Sequence, residues 1–306
     1  MNAMLKPMET TYSHNAGARP LQTDSLPSIS ASAMLVNLRI NMWSADITDK
    51  SATSDIQHQS GAIRGSARVR KSLLPDEPIF DRVKSLLGLM RNTHYSLTMP
   101  WEDRGSRVLT MPLYFRYQTD LGELNTEYKT ALGNFLNEYP AMVARAPSKL
   151  NALFDPSDYP DVDDLANKFS VGIQYSPVPE AGDFRVDVGN EALQMLKSSY
   201  ENFYEEKLKG AYADAWERTH KVLSHMSTKL EGQTKQKFND TLVSNVTEMV
   251  ELLDGFNVTN DPEMARASRL IGDALRGVTP DGLRSCDSYR LETKRKVDDL
   301  LKEFTW

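Results

Sequence analysis

Two segments of the chain carry clustered cations, the second together with aromatic rings, at spacings suited to holding an anionic ligand or a protein partner. The first is a run of basic residues formed by Arg64, Arg68, Arg70 and Lys71. Clustered Arg and Lys side chains bind phosphate groups or acidic protein surfaces, and such binding weakens as salt rises. The alternative, a solvated face, is favoured here because so few charges give only a weak interaction.

The second segment is a loop predicted over residues 97–112, whose opening Leu-Thr-Met-Pro sequence recurs at its end. The charged and aromatic residues in and beside it are Arg91, Tyr95, Trp101, Asp103, Arg104 and Arg107. An aromatic ring beside Arg is the composition of single-strand stacking sites and of protein hot spots. An equally weighted alternative is a turn in which Trp101 fills the core and Asp103 pairs with an arginine.

The sequence lacks the short motifs of several enzyme classes. No glycine pair has the spacing of a dinucleotide-binding loop, and no lysine completes a P-loop. The Gly-x-Ser-x-Gly and His-Glu-x-x-His patterns are missing. His220 and His225 would lie about 140° apart around a helix, which does not suit a metal pair. We therefore predict a non-enzymatic protein with no cofactor or metal, and an enzyme built from scattered carboxylates stays open as the last alternative.

Cysteine content and hydropathy limit the cellular compartments in which the protein is expected. Cys286 is the single cysteine, so neither an intramolecular disulfide nor a multi-cysteine zinc site can form. We predict that it is partly buried in a helix and that the compartment is reducing. No apolar run suits a signal peptide or a transmembrane helix. These features predict a cytoplasmic protein with no membrane partner.

Composition and charge are typical of a soluble globular chain. The 306 residues are 40% hydrophobic and 25% charged, which excludes a wholly disordered, collagen-like or membrane-embedded protein. The net charge of −6 is unevenly spread, with +3 over residues 31–150 and −9 over residues 151–306. The acidic C-terminal half should repel a phosphate backbone, so any nucleic-acid contact is expected within residues 64–109.

Periodicity divides the chain into three predicted regions. Residues 1–30 are a disordered leader, residues 31–188 mix helices with a small β-sheet, and residues 189–306 form a C-terminal helical bundle. The predicted strands cover 36–43, 169–175 and 184–188. The helix that begins near residue 189 runs for about forty residues, a length typical of a coiled-coil-like element. The predicted fold class is mainly α: an elongated helical bundle with long coiled-coil-like helices and a small β-sheet.

Proline positions and apolar spacing predict the helix boundaries. One helix begins after Pro78 and carries His94 on its apolar face, where a hydrogen-bonded core role is expected. A long helix begins at Pro112, and Pro140 is expected to kink or end it. Capping residues followed by proline predict further starts at Pro262 and Pro280, and the latter begins the last helix.

Several short segments resemble a family of uncharacterised helical proteins from phages and mobile elements. The resemblance spans residues 34–260 and rests on Arg68–Pro75, Thr93–Tyr95, Met99–Trp101, Tyr139-Pro140, Leu150–Phe154, Asp158–Pro160 and Asp183–Val186. Genes of this family often lie beside genes for MoxR-type ATPases, von Willebrand-type metal-site proteins or recombination proteins. The resemblance therefore implies a partner role and, for a phage protein, the host cytoplasm.

These observations lead to two functional hypotheses. The first is a non-enzymatic phage or mobile-element protein that acts by protein–protein contact or self-association, with an AAA+ ATPase as the partner that the resemblance implies. The second is an accessory protein for recombination or replication that binds single-stranded nucleic acid. The residues predicted to bind nucleic acid in the second hypothesis are Arg64, Arg68, Arg70, Lys71, Trp101, Arg104 and Arg107. Asp103 joins them as a candidate interaction residue.

Overall fold

The computed structural model of the chain describes residues 28–102, 105–180, 190–231 and 239–304. The chain divides into two compact units. We name residues 32–178 the sheet unit, and residues 1–31 with 179–306 the helical unit. The predicted boundary at residue 188, the strand over 184–188 and most of the leader lie outside the described residues.

The sheet unit contains six strands and four α-helices among its described residues. In chain order they are β1 (Ala33–Asn41), β2 (Asp46–Asp49), α1 (Lys50–Gln59), β3 (Val69–Ser72), α2 (Pro78–Ser96), β4 (Met99–Pro100), β5 (Arg107–Thr110), α3 (Met111–Leu150), α4 (Val162–Ala166) and β6 (Ser170–Pro177). One antiparallel sheet has the order β4-β5-β1-β6, and β2 pairs with β3 in a second. Among the residues described, the chain is thus mainly α with a small β part, as predicted.

The core of the sheet unit lies along the contact between α2 and α3. The apolar face predicted for α2 is buried from Phe80 to His94. Phe80 stacks on Phe135 of α3 with ring centroids 4.9 Å apart. In β1, Leu35 and Val36 are buried, and Val36 lies opposite Arg107 in the β1–β5 register. This arrangement brings the C-terminal end of α2 next to the sheet.

The described part of the helical unit contains five α-helices. They are α5 (Asn190–Leu230), α6 (Thr241–Phe256), α7 (Pro262–Leu275), α8 (Pro280–Ser285) and α9 (Asp287–Glu303). The helix α5 packs against α6 and α9, and α7 packs against both α6 and α9. The buried residues of α5 begin only at Leu208, so the first half of this helix adds no buried residue to the core. The predicted coiled-coil character and elongation therefore stay predictions.

Two local predictions are wrong, and a third is wrong in part. Residues 97–112 are not one loop, because β4 and β5 pair within them and β5 joins β1. Pro140 does not end α3, which continues to Leu150, and the alternative that it kinks the helix stays a prediction. Pro140 is exposed, so water can solvate the carbonyl group that its missing N–H leaves unpaired. The last helix is interrupted at Cys286, whose extended backbone (φ −133°, ψ 110°) separates α8 from α9 and leaves its side chain exposed.

Candidate interaction surfaces

The basic run is divided between solvent and a partly buried ion-pair cluster of the sheet unit. Arg64 and Arg68 are exposed in the connection between α1 and β3. Arg70 is also exposed and faces Asp46 across β2 and β3 at 3.8 Å. Lys71 is only 10% exposed, and its ammonium group pairs with Asp158 at 2.7 Å. These four cations therefore do not form one continuous binding surface.

Lys71 is a structural cation. Besides Asp158, its Nζ lies 3.8 Å from Asp49 and donates to the carbonyl oxygen of Leu153 at 2.8 Å. The contact with Asp158 is the main cause that raises the pKa of Lys71. It thus ties β3 to the segment that follows α3. A phosphate could reach this ammonium group only by displacing its carboxylate partners.

Trp101 lies in the core rather than on a binding surface. Its side chain is 3% exposed, as the alternative of a core-filling ring predicted. A buried ring cannot stack on a nucleobase, so this conformation removes Trp101 from the candidate stacking residues. Asp103 and Arg104, the next candidates along the chain, lie outside the described residues.

Arg107 is held next to a different ring, that of Tyr95. Its guanidinium carbon lies 4.8 Å from the ring centroid of Tyr95, which is 54% exposed. Arg107 donates from Nε to Oγ1 of Thr98 at 2.7 Å and from Nη2 to the Thr98 carbonyl at 2.9 Å. The β5 strand and the turn after α2 thus orient the guanidinium group. The exposed aromatic–arginine pair of this region is Tyr95 with Arg107, not Trp101 with Arg107.

His94 is the hydrogen-bonded core histidine that its position predicted. It is 4% exposed, and its Nδ1 lies 2.8 Å from the hydroxyl group of Tyr117 on α3. Burial, reinforced by the charge of Arg107, lowers the pKa of His94 to about 4. The ring is therefore neutral at pH 7. Burial also raises the pKa of Tyr117, so both partners stay uncharged.

A cleft of about 310 Å³ opens at the end of α2. Its walls come from β1, from α2 and from the segment that joins β4 to β5. The lining residues within the described part of the chain are Asn37, Leu38, Ile40, Arg91, His94, Tyr95, Glu102, Gly105 and Arg107. The basic run contributes none of them, and no hydrogen bond or ion pair joins it to the described part of residues 97–112.

Sequence reasoning missed an aromatic surface at the start of α3. Phe115 is 74% exposed, and its ring lies 5.4 Å from that of Tyr114. Tyr114 in turn lies 6.2 Å from Tyr175 of β6, with Met111 exposed one helical turn earlier. We name Met111, Tyr114, Phe115 and Tyr175 the aromatic surface. The exposure of Phe115 could have been predicted from its position in the helix. It precedes Tyr117 by two residues and therefore lies off the buried stripe of α3.

Within the described residues, no group of three or more His, Cys, Asp and Glu side chains is arranged to hold a metal ion. No helix in that part of the chain is long and apolar enough to cross a membrane. No protein-family model, curated protein or solved structure matches the chain. The family resemblance and the function therefore stay predictions.

Proposed function

We propose that this protein is a non-enzymatic assembly protein whose aromatic surface binds a second copy of the same chain. The exposure of Phe115 carries the proposal, since 74% of this large apolar side chain meets water. Single exposed apolar residues are ordinary, but Met111 and Tyr175 extend the patch. Contiguous apolar patches with aromatic rings are typical of protein–protein interfaces.

Hydrogen bonds hold the rings of this surface in place before any partner binds. The side-chain amide of Gln118 donates to the hydroxyl group of Tyr175 at 2.8 Å and to that of Tyr114 at 3.3 Å. These bonds link α3 to β6 and restrict both rings. A surface whose side chains are already ordered loses less conformational entropy on association, which favours tight binding.

The charges beside Phe115 suit a second copy. Arg116 and Asp120 form an i,i+4 pair at 3.6 Å on α3, and both are more than one third exposed. Across a twofold axis, a rim that carries both signs of charge can place Arg116 of one protomer opposite Asp120 of the other, so the rim can complement itself. An apolar centre with a mixed-charge rim is the usual anatomy of such an interface.

The family resemblance supports a more specific version of this proposal, with a named origin and partner. It adds a phage or mobile-element origin and an AAA+ ATPase of the MoxR type as the protein on which the assembly acts. This partner is supported by the resemblance alone. Binding of a purified MoxR-type ATPase to the assembled protein, but not to its monomeric variant, is the result expected from this version.

Sedimentation velocity over a concentration series tests self-association directly. The full chain is compared with Phe115→Ser and with Leu291→Ser, a matched control because Leu291 is 60% exposed on α9. We expect the wild type and the control to form a dimer as concentration rises, and Phe115→Ser to stay monomeric. A wild-type chain that stays monomeric throughout would contradict the proposal.

A further inference from the structure

Among the described residues that line the cleft at the end of α2, cations outnumber carboxylates. Arg91 and Arg107 line it, and Glu102 is the one carboxylate among its described lining residues. Arg91 is exposed and makes no hydrogen bond or ion pair with any described residue. It lies one helical turn before Tyr95, so both side chains project from the same side of α2. A cation in this position is available to an anionic ligand.

His94 adds a neutral polar atom to the cleft. Its Nδ1 is engaged by Tyr117, whereas its Nε2 has no hydrogen-bond partner among the described residues. This nitrogen is not fully buried, so a ligand in the cleft that His94 lines can reach it. When the Tyr117 hydroxyl group donates to Nδ1, the proton of the neutral ring sits on Nε2, which can then donate to a ligand oxygen.

The opposite wall is apolar. Leu38 and Ile40 of β1 line the cleft and are partly exposed. Together with the half-exposed ring of Tyr95, they offer a surface for a flat, weakly polar group. Glu102 lies at the same cleft, and its carboxylate can accept hydrogen bonds from hydroxyl or amino groups.

We propose that this cleft binds one nucleotide unit. Its phosphate contacts Arg91 and Arg107, its base lies against Leu38, Ile40 and Tyr95, and Glu102 accepts from the sugar or the base. The exposed planar guanidinium group of Arg91 can match phosphate oxygens in a two-pronged geometry, whereas Arg107, whose Nε and Nη2 donate to Thr98, contributes mainly its positive charge. The volume of about 310 Å³ is at the lower end for ligand pockets and suits one nucleotide. The unit comes either from a free mononucleotide or from a single strand of nucleic acid.

Equilibrium binding with three probes distinguishes these sources. Calorimetry measures AMP and inorganic phosphate, and fluorescence anisotropy measures a labelled single-stranded oligothymidylate, all at low salt. The full-length Phe115→Ser chain is included, so that loss of self-association is separated from loss of the cleft. Arg91→Ala is the test variant because Arg91 is exposed, and Arg295→Ala is its control because Arg295 is exposed on α9.

We expect Arg91→Ala to weaken binding about 10-fold or more, since it removes a charged hydrogen-bond donor, and Arg295→Ala to leave it unchanged. Binding of AMP identifies a free nucleotide as the source. Tight oligothymidylate binding with little affinity for AMP identifies a nucleic-acid strand. Any one of three results would overturn the proposal: neither AMP nor the oligothymidylate binds, inorganic phosphate binds as tightly as AMP, or Arg91→Ala and Arg295→Ala weaken binding equally.

Discussion

The Nδ1 atom of His94 and the hydroxyl group of Tyr117 lie 2.8 Å apart and join α2 to α3 inside the sheet unit. Both residues are buried, and Arg107 lies close enough to His94 to disfavour a positive charge on its ring. The pair has two consequences. It fixes the ring that borders the cleft, and it makes the stability of the sheet unit depend on pH.

Neutral His94 should stabilise the fold at neutral pH and cease to do so in acid. Its pKa is about 4 in the folded state, below the ordinary value of 6.5, so the unfolded chain binds this proton more tightly. The contribution is complete above pH 6.5 and is lost as pH falls towards 4. Its size is on the order of 3 kcal/mol, which corresponds to the difference in pKa.

Urea unfolding of the wild type and of His94→Gln at a series of pH values measures this term. Glutamine keeps a polar group but does not titrate, so its variant should lose less stability between pH 6.5 and pH 4. Parallel pH profiles for the two proteins would show that His94 is not the titrating group. The carboxylates of both proteins titrate alike, so the difference between the profiles isolates His94.

Lys71 should matter more for stability than Arg70. Lys71→Met leaves Asp158 and Asp49 without the cation that lies 2.7 Å and 3.8 Å from them, and should lower the free energy of unfolding by about 2 kcal/mol. Arg70→Met removes only an exposed pair at 3.8 Å, for which at most about 0.5 kcal/mol is expected. Chemical denaturation of both variants makes the comparison, and equal losses would contradict the structural role of Lys71.

Trp101→Ala should lower the stability of the fold, since the ring belongs to the core and not to a binding surface. The ring is 3% exposed, and emptying such a site costs about 3–5 kcal/mol. Ile63→Ala is an exposed apolar control, since Ile63 is 83% exposed and its loss should change stability by less than about 0.5 kcal/mol. Thermal unfolding of the two variants tests the assignment. A Trp101→Ala protein as stable as the wild type would mean that the ring is not in the core.

Much of the helical framework could be predicted because its signals are local. The side chain of Asp261 accepts hydrogen bonds from the backbone of Glu263 and Met264, so the predicted helix start is confirmed. Thr279 caps α8 in the same way. The strands β4 and β5 were missed because they span only two and four residues. Their stability comes from pairing with β1, which a local pattern does not reveal.

The candidate surfaces were harder to predict than the helices. An aromatic ring beside Arg107 was expected, but sequence spacing could not decide whether Tyr95 or Trp101 was the buried ring. Lys71 resembles its basic neighbours in sequence and differs from them only through Asp49 and Asp158, which approach from other elements. Burial and long-range ion pairs depend on the tertiary structure. Local composition therefore assigned Lys71 to the same predicted binding surface as its exposed neighbours.

The aromatic surface is proposed to bind a second copy of the chain. The most direct test of this proposal is the molar mass of the full-length protein by light scattering over a concentration series, with Phe115→Ser and Leu291→Ser measured in parallel. We expect the mass of the wild type and of Leu291→Ser to rise from one chain to two with concentration, while that of Phe115→Ser stays at one. A wild-type mass of one chain at every concentration, or dimers that survive Phe115→Ser, would contradict the proposal.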